Sequence, residues 1–140
     1  MDFEVLDIAG DAGIRAYGKS CGEAFVNAGL GMYSLITDMD KIREKQDLIV
    51  EAEGDSFESL LVNFLNELVY QFDTNGFIGK RILMDTFIPS RSSFLRARVY
   101  GEEFDPGRHE RKLLIKAATY HDIKVEEVND TWEVDVVFDI

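Results

Sequence analysis

Residues 55–76 read DSFESLLVNFLNELVYQFDTNG, and this stretch decides the fold. Phe57, Leu60, Leu61, Phe64, Leu65, Leu68, Val69 and Phe72 recur at helical spacing with few gaps, a wide apolar stripe that has to be buried. Asp55 and Glu58 have the spacing of a capping box at the start. Gly76 supplies a stop at the end. A stripe this broad reads as core, not as a cofactor-binding surface.

Upstream, SCGEAFVNAGLGMYSLITD (20–38) reads as another helix. Ser20 and Glu23 repeat the capping spacing, and Phe25, Ala28, Met32, Leu35 and Ile36 fall close to one face. Gly22, Gly29 and Gly31 each cost roughly 1 kcal/mol relative to Ala in a helix, so a closely packed neighbour is expected there. Strands surround the two helices. FEVLDI (3–8) and GIRAYG (13–18) flank AGDAG (9–13), where a hairpin or tight bend can form. LIVEAE (48–53) alternates, and in FLRARVYG (94–101) Leu95, Ala97 and Val99 alternate with Arg96, Arg98 and Tyr100. EEFDPGRHE (102–110) reads as a loop punctuated by Pro106 and Gly107. KVEEVNDTWEVDVVFDI (124–140) reads as a hairpin turned at Asn129 and Asp130. LLIKAATYH (113–121) fits both periods. This order of elements predicts an α+β fold, two main helices packed on a mixed or antiparallel sheet, in a single domain spanning residues 1–140.

Composition narrows the classes. The 140 residues are 46% hydrophobic and include ten Phe but only two Pro, which suits a packed core and excludes a low-complexity chain. No apolar run approaches a membrane span, and MDFEVLDIAG carries acids where a signal peptide needs bases. Cys21 is the only cysteine, so no internal disulfide can form. A cytoplasmic protein without a membrane segment is the expectation. The net charge of −12 disfavours direct nucleic-acid binding and suits metal cations or a basic protein surface, or simply solubility.

The candidate chemistry is sparse. Asp11, between Gly10 and Gly13, either caps its own turn or takes part in a site. On the last strand Trp132, Val134, Val136, Phe138 and Ile140 form the apolar face, so Asp139 points the other way. Ile140 is expected to bury its side chain and fix the terminal carboxylate. Asp139 and that carboxylate are adjacent hard oxygen donors, able to serve Ca²⁺ or Mg²⁺ if a third ligand arrives from elsewhere, or they form a solvated acidic end. His109 and His121 lack Cys or His partners at zinc spacing, and HERK and YHD read as surface polar clusters. Lys116 lies in an apolar run, where it either snorkels to solvent or faces a compensating carboxylate. Ser20 reads as a cap and Cys21 as a small, half-buried residue. There is no Walker loop and no GxGxxG.

Six stretches together resemble the archease family: GDAGIRAYGKS, LGMYSLITD, SLLVNFLNELVYQFDT, GEEFDPGRHE, IKAATYH and the terminal VVFDI. They run in family order from the first strand to the last residue. The resemblance implies a small α+β protein that assists the tRNA-splicing RNA ligase, promoting its guanylylation and multiple turnover without being an enzyme itself. It also implies a divalent-cation site, Ca²⁺ with Mg²⁺ or Mn²⁺ as alternatives, built from Asp11, Asp139 and Ile140. Lys116 and His121 are implied as further functional residues. A chaperone or adaptor for RNA-modifying enzymes is the alternative role, and a metal-dependent hydrolase is a further rival. The sequence departs from the family's Asp-His-Thr-Ala-Asp motif. Asp7, Ile8, Ala9, Gly10 and Asp11 stand there, with Ile8 in place of the histidine.

Overall fold

The run from Phe57 to Asn75 forms helix α2, and Leu60, Leu61, Phe64, Leu65 and Leu68 on its apolar stripe are fully buried. The computed structural model describes residues 2–140. The cap of α2 sits one residue beyond the Asp55–Glu58 expectation. Ser56 is the N-cap and Ser59 its reciprocal partner: the Ser59 N–H donates to Ser56 Oγ at 3.0 Å, and the Ser56 N–H to Ser59 Oγ at 3.1 Å. Asp55 supports it as an acceptor for the Ser59 hydroxyl (3.0 Å). A hydroxyl pair closes the box as well as a hydroxyl–carboxylate pair does, which is why the spacing pointed to the wrong residues. Gly76 ends the helix at φ 69°, a left-handed conformation open to glycine at little cost.

Helix α1 spans Cys21–Ile36 and is capped by Ser20, which accepts from the Glu23 N–H at 3.1 Å; the reciprocal bond of a capping box is not made. Two of its three glycines meet the expected neighbours. A Cβ at Gly29 would stand 2.8 Å from Ile82 Cδ1, and one at Gly31 2.9 Å from Ile14 Cδ1, whereas Gly22 has only ordinary contacts.

The strands form two antiparallel sheets instead of one. The first contains β1 (Phe3–Leu6), β2 (Ala12–Gly18) and β8 (Thr131–Asp139) in that order. The far side of β8 is shared by β6 (Ala117–Ala118) at one end and β7 (Lys124–Val128) at the other. The second sheet is β3 (Gln46–Gly54), β5 (Ser93–Glu103) and β4 (Phe77–Ile88), with β5 central. Both helices contact strands of both sheets, so one core serves the domain. Asn129 and Asp130, at φ 51° and 65°, make the two-residue turn between β7 and β8, where Asx side chains tolerate left-handed backbone. Along β5, Leu95, Ala97 and Val99 are fully buried, while Arg96 and Arg98 on the other face pair with Glu51 and Asp47 of β3. Of LLIKAATYH only Ala117–Ala118 is strand. β4 carries register shifts at Gly79/Arg81 and Met84/Thr86, which break the alternation that would have announced it.

Where β4 and β5 cross most closely, Gly79 faces Gly101. A Cβ on Gly101 would lie 2.0 Å from the Ile78 carbonyl oxygen and 2.8 Å from Gly79 Cα. Both are backbone atoms of a paired strand and cannot swing aside. Gly101→Ala should therefore cost about 3 kcal/mol, read as a lower urea midpoint; an unchanged midpoint would show that the strands separate freely.

Candidate functional site

The registers of the first sheet assemble one end of it. Ala12 pairs with Phe138, and continuing that ladder by one residue sets Asp11 opposite Asp139. On the other flank of β8, Ala117 pairs with Asp139, and the Lys116 N–H donates to the Asp139 carbonyl at 2.8 Å. Ala12, Val136 and Phe138 are buried, and Asp11 and Asp139, just beyond them, are exposed. Asp11 is delivered by a closed turn in which its N–H donates to the Ile8 carbonyl (3.3 Å) and Gly10 takes φ 80°. Four residues singled out in the sequence, Asp11, Lys116, Asp139 and Ile140, thus meet at one place although the first and last are 129 positions apart in the chain.

Charge distribution marks this end out. On the outer face of this sheet Arg15 is taken by Asp135 in a two-pronged pair (Nε–Oδ1 2.7 Å, Nη2–Oδ2 2.9 Å), and Lys124 by Glu133 and Asp135. That pairing raises the Arg15 guanidinium above its ordinary pKa, first through the Asp135 hydrogen bond. Between this network and the acidic end lies the Gly13–Val137 pair. Ile8 closes over it: its Cδ1 stands 2.5 Å from where a Cβ on Gly13 would be, and Val137 is buried. Ile8 therefore acts as an apolar cover on Gly13. Among the described residues, neither the Asp11 nor the Asp139 carboxylate has an ion-pair or hydrogen-bond partner, and Lys116 Nζ has no carboxylate within 4.0 Å. Like charges placed opposite each other on neighbouring strands repel. Two carboxylates would supply only part of a cation's oxygen shell. Among the described residues no three His, Cys, Asp or Glu side chains come together to complete one, so the remaining oxygens would be backbone, water or a partner's.

One expectation is corrected. Ile140 does not bury its side chain, which is 39% exposed; the apolar face of β8 ends at Phe138, because the core closes there. His121 does not join the group. It lies on the exposed turn after β6, with Nε2 3.2 Å from Asp122 and its N–H on Thr119 Oγ1, where the chain leaves the end of the sheet. Lys116 is exposed, as a snorkelling lysine is.

A third polar cluster was missed. His109, read as part of a surface group, is 2% exposed. The Asp105 N–H donates to its Nδ1 (2.8 Å), which leaves Nε2 to donate to Glu102 Oε2 (3.1 Å). Buried Glu102 also accepts from the Arg43 N–H (2.6 Å) and the Arg108 guanidinium, which reaches on to the Lys41 carbonyl (2.8 Å). Burial pushes the Glu102 carboxyl up, but the donors of Arg43, Arg108 and His109 outweigh it and hold it below its ordinary value. These bonds fasten the loop after β5 to the connection between α1 and β3. The mixed composition of GEEFDPGRHE hid this, since a loop's polar residues usually face water. An open cleft of about 630 Å³ beside it, lined by Lys45, Gln46, Glu102, Pro106 and Arg108 among others, includes none of Asp11, Lys116, Asp139 and Ile140. Cys21 is buried and its thiol is pushed up to about 12 by burial, a poor nucleophile.

Residues 3–140 match the archease protein family. The chain belongs to the archease family. Among its relatives, the Pyrococcus furiosus archease is 38% identical over 139 residues, covering 99% of this chain and 98% of that protein. The Sulfurisphaera tokodaii archease is 33% identical over 138 residues, covering 99% and 98%. The solution structure of Methanobacterium thermoautotrophicum protein 1598 is similar with a TM-score of 0.84 at 29% identity, over 99% of both chains. A crystal structure of a Thermotoga maritima protein described as an archease and possible chaperone has a TM-score of 0.61 over 98% of this chain and 96% of that one; at 18% identity it speaks to the fold alone. The archease fold is thus α+β, as the periodicities predicted. No helix among the described residues is long and apolar enough to cross a membrane.

Proposed function

We propose that this protein is a non-catalytic activator of the tRNA-splicing RNA ligase, promoting its guanylylation and turnover in the cytoplasm through a divalent-cation site. The observation that supports the reading most is that Asp11, in the turn just before β2, and Asp139, at the end of β8, come to the same end of the sheet, with Lys116 bonded to the Asp139 backbone alongside. Asp11, Asp139 and a backbone oxygen of Ile140 would hold the cation, Ca²⁺ by preference for a loose oxygen shell, with Mg²⁺ or Mn²⁺ as substitutes. When bound, the cation neutralises the acidic pair and offers open coordination positions to oxygens of the partner. Lys116, free of carboxylates among the described residues, supplies a cationic donor for a phosphate at the ligase's nucleotide site. The protein needs no direct contact with RNA, and its net charge of −12 suits docking to a basic enzyme.

A ligase guanylylation assay tests the reading. Substoichiometric amounts of this protein should increase guanylylated ligase in the presence of GTP, and chelator should remove the increase. Equal guanylylation with and without the protein would refute activation. Stimulation that survives chelator would refute the cation's part in it. A second reading, a chaperone or adaptor for RNA-modifying enzymes, draws on the description of the Thermotoga maritima relative as a possible chaperone. It predicts protection of an aggregating client by the Asp139→Ala variant as well as by the wild type.

A further inference from the structure

Lys116 belongs to no regular element, and the strand that follows it is only two residues long. Pairing with β8 alone leaves the other edge of Ala117–Ala118 open, and so short a strand does not hold its place. A side chain of α2 closes that edge. The Ala118 N–H donates to Asn66 Oδ1 at 2.7 Å, and Asn66 Nδ2 donates back to the Ala118 carbonyl at 3.3 Å. The carboxamide presents one donor and one acceptor, as a peptide group of a neighbouring strand would. Leu65, Leu68 and Val69, adjacent on α2, are buried, so Asn66 is carried by one of the most firmly packed elements of the fold. On the opposite edge the Lys116 N–H bonds the Asp139 carbonyl (2.8 Å) and the Thr119 N–H bonds the Val137 carbonyl (3.0 Å). Residues 116–119 are therefore clamped between β8 and a single amide of α2.

We propose that Asn66 is a positioning residue for Lys116: its two bonds to Ala118 fix the segment that sets Lys116 beside Asp139 and Ile140. The inference rests on the activator reading for its consequence, but not for its structural content. The hydrogen bonds of Asn66 in this region go to Ala118 and not to Asp11 or Asp139, so it works through the Ala118 backbone. Truncation frees two groups of one short strand and leaves Asp11 and Asp139, held by the β2–β8 ladder, where they are.

The test uses the full chain with Asn66→Ala, Lys116→Ala and the double substitution. In Asn66→Ala, amide exchange at Lys116, Ala118 and Thr119 should accelerate about tenfold, the loss of two hydrogen bonds of ordinary strength, while amides in the middle of β2 and β8 keep their protection. Calcium binding, titrated with the metal alone, should be unchanged. Stimulation of guanylylation should fall about tenfold, as for the loss of a group that orients a functional one. The double substitution should be no worse than Lys116→Ala, an interaction that a general loss of stability would not produce. Wild-type exchange at Lys116 in the Asn66→Ala protein, or an Asn66 effect that persists in full without Lys116, would overturn the proposal. Asn66→Asp serves if the alanine variant does not fold. It keeps the volume and turns a second oxygen toward the Ala118 carbonyl, so the same acceleration is expected. If the wild-type protein fails to stimulate the ligase, the activator reading falls, and exchange at Lys116 still decides whether Asn66 positions it.

Discussion

Asp139→Asn is expected to abolish calcium binding and ligase stimulation while raising the melting temperature of the metal-free protein. Opposite signs follow from one geometry. The β2–β8 register brings Asp11, just before β2, and Asp139 to the same end of the sheet, and among the described residues no cation answers either. Ile8 and the Gly13–Val137 pair stand between them and Arg15, which Asp135 already occupies. Removing one charge relieves a cross-strand repulsion of about 0.5 kcal/mol, visible as a shift of one or two degrees in a thermal melt. The same change removes one of the two side-chain carboxylates from a site that has few other donors, so affinity for a hard dication collapses. Asp11→Asn should do likewise, and in the double variant the stability gains should not add, because the first substitution has already removed the repulsion. Calorimetric titration and melts with and without calcium read both effects. A variant that binds calcium as the wild type does would remove Asp139 from the site.

The largest effect on stability is expected at Glu102. Glu102→Ala leaves the Arg108 guanidinium, His109 Nε2 and the Arg43 N–H without their common acceptor in a buried place, a loss of about 3–5 kcal/mol measured as the urea midpoint. Glu102→Gln preserves shape and removes the charge, and should cost less. Its pH dependence separates charge from packing. A carboxyl held lower in the folded than in the unfolded protein adds stability that is complete above its ordinary value of 4.5 and lost as pH falls through the folded value. Wild type should therefore lose stability on acidification below about pH 5, and Glu102→Gln should lose less over the same range. Parallel acid titrations of the two proteins would show that the charge of Glu102 does not stabilise the loop.

Legibility followed the range of the signal. The stripe from Phe57 to Phe72, the stop at Gly76, the turn at Asn129–Asp130 and the alternation of Leu95, Ala97 and Val99 are written in residues a few positions apart, and each appears where its spacing put it. β4 did not announce itself because its two bulges interrupt the period of two. The cap of α2 was misplaced by one residue because Ser59 replaces the acid that the motif leads one to look for. His109 looked like a surface histidine because burial of a loop depends on what folds over it: here the connection through Lys41 and Arg43, more than fifty residues away, supplies the cover.

The sequence alone determined the two helices, most strands, the outward direction of Asp139, and membership of a family through six stretches in order. Periodicity and turn chemistry act within one element, where neighbouring residues settle the backbone. Only the tertiary structure decided that the strands divide into two sheets, that Ile140 lies outside the core, that His121 stands apart, and that Asn66 holds the strand beside Lys116. Those outcomes depend on the register of β2 against β8 and of β6 against both β8 and α2, set by core packing between segments far apart in the chain. No local pattern carries that information, because a ladder shifted by two residues would satisfy the same alternation and separate Asp11 from Asp139.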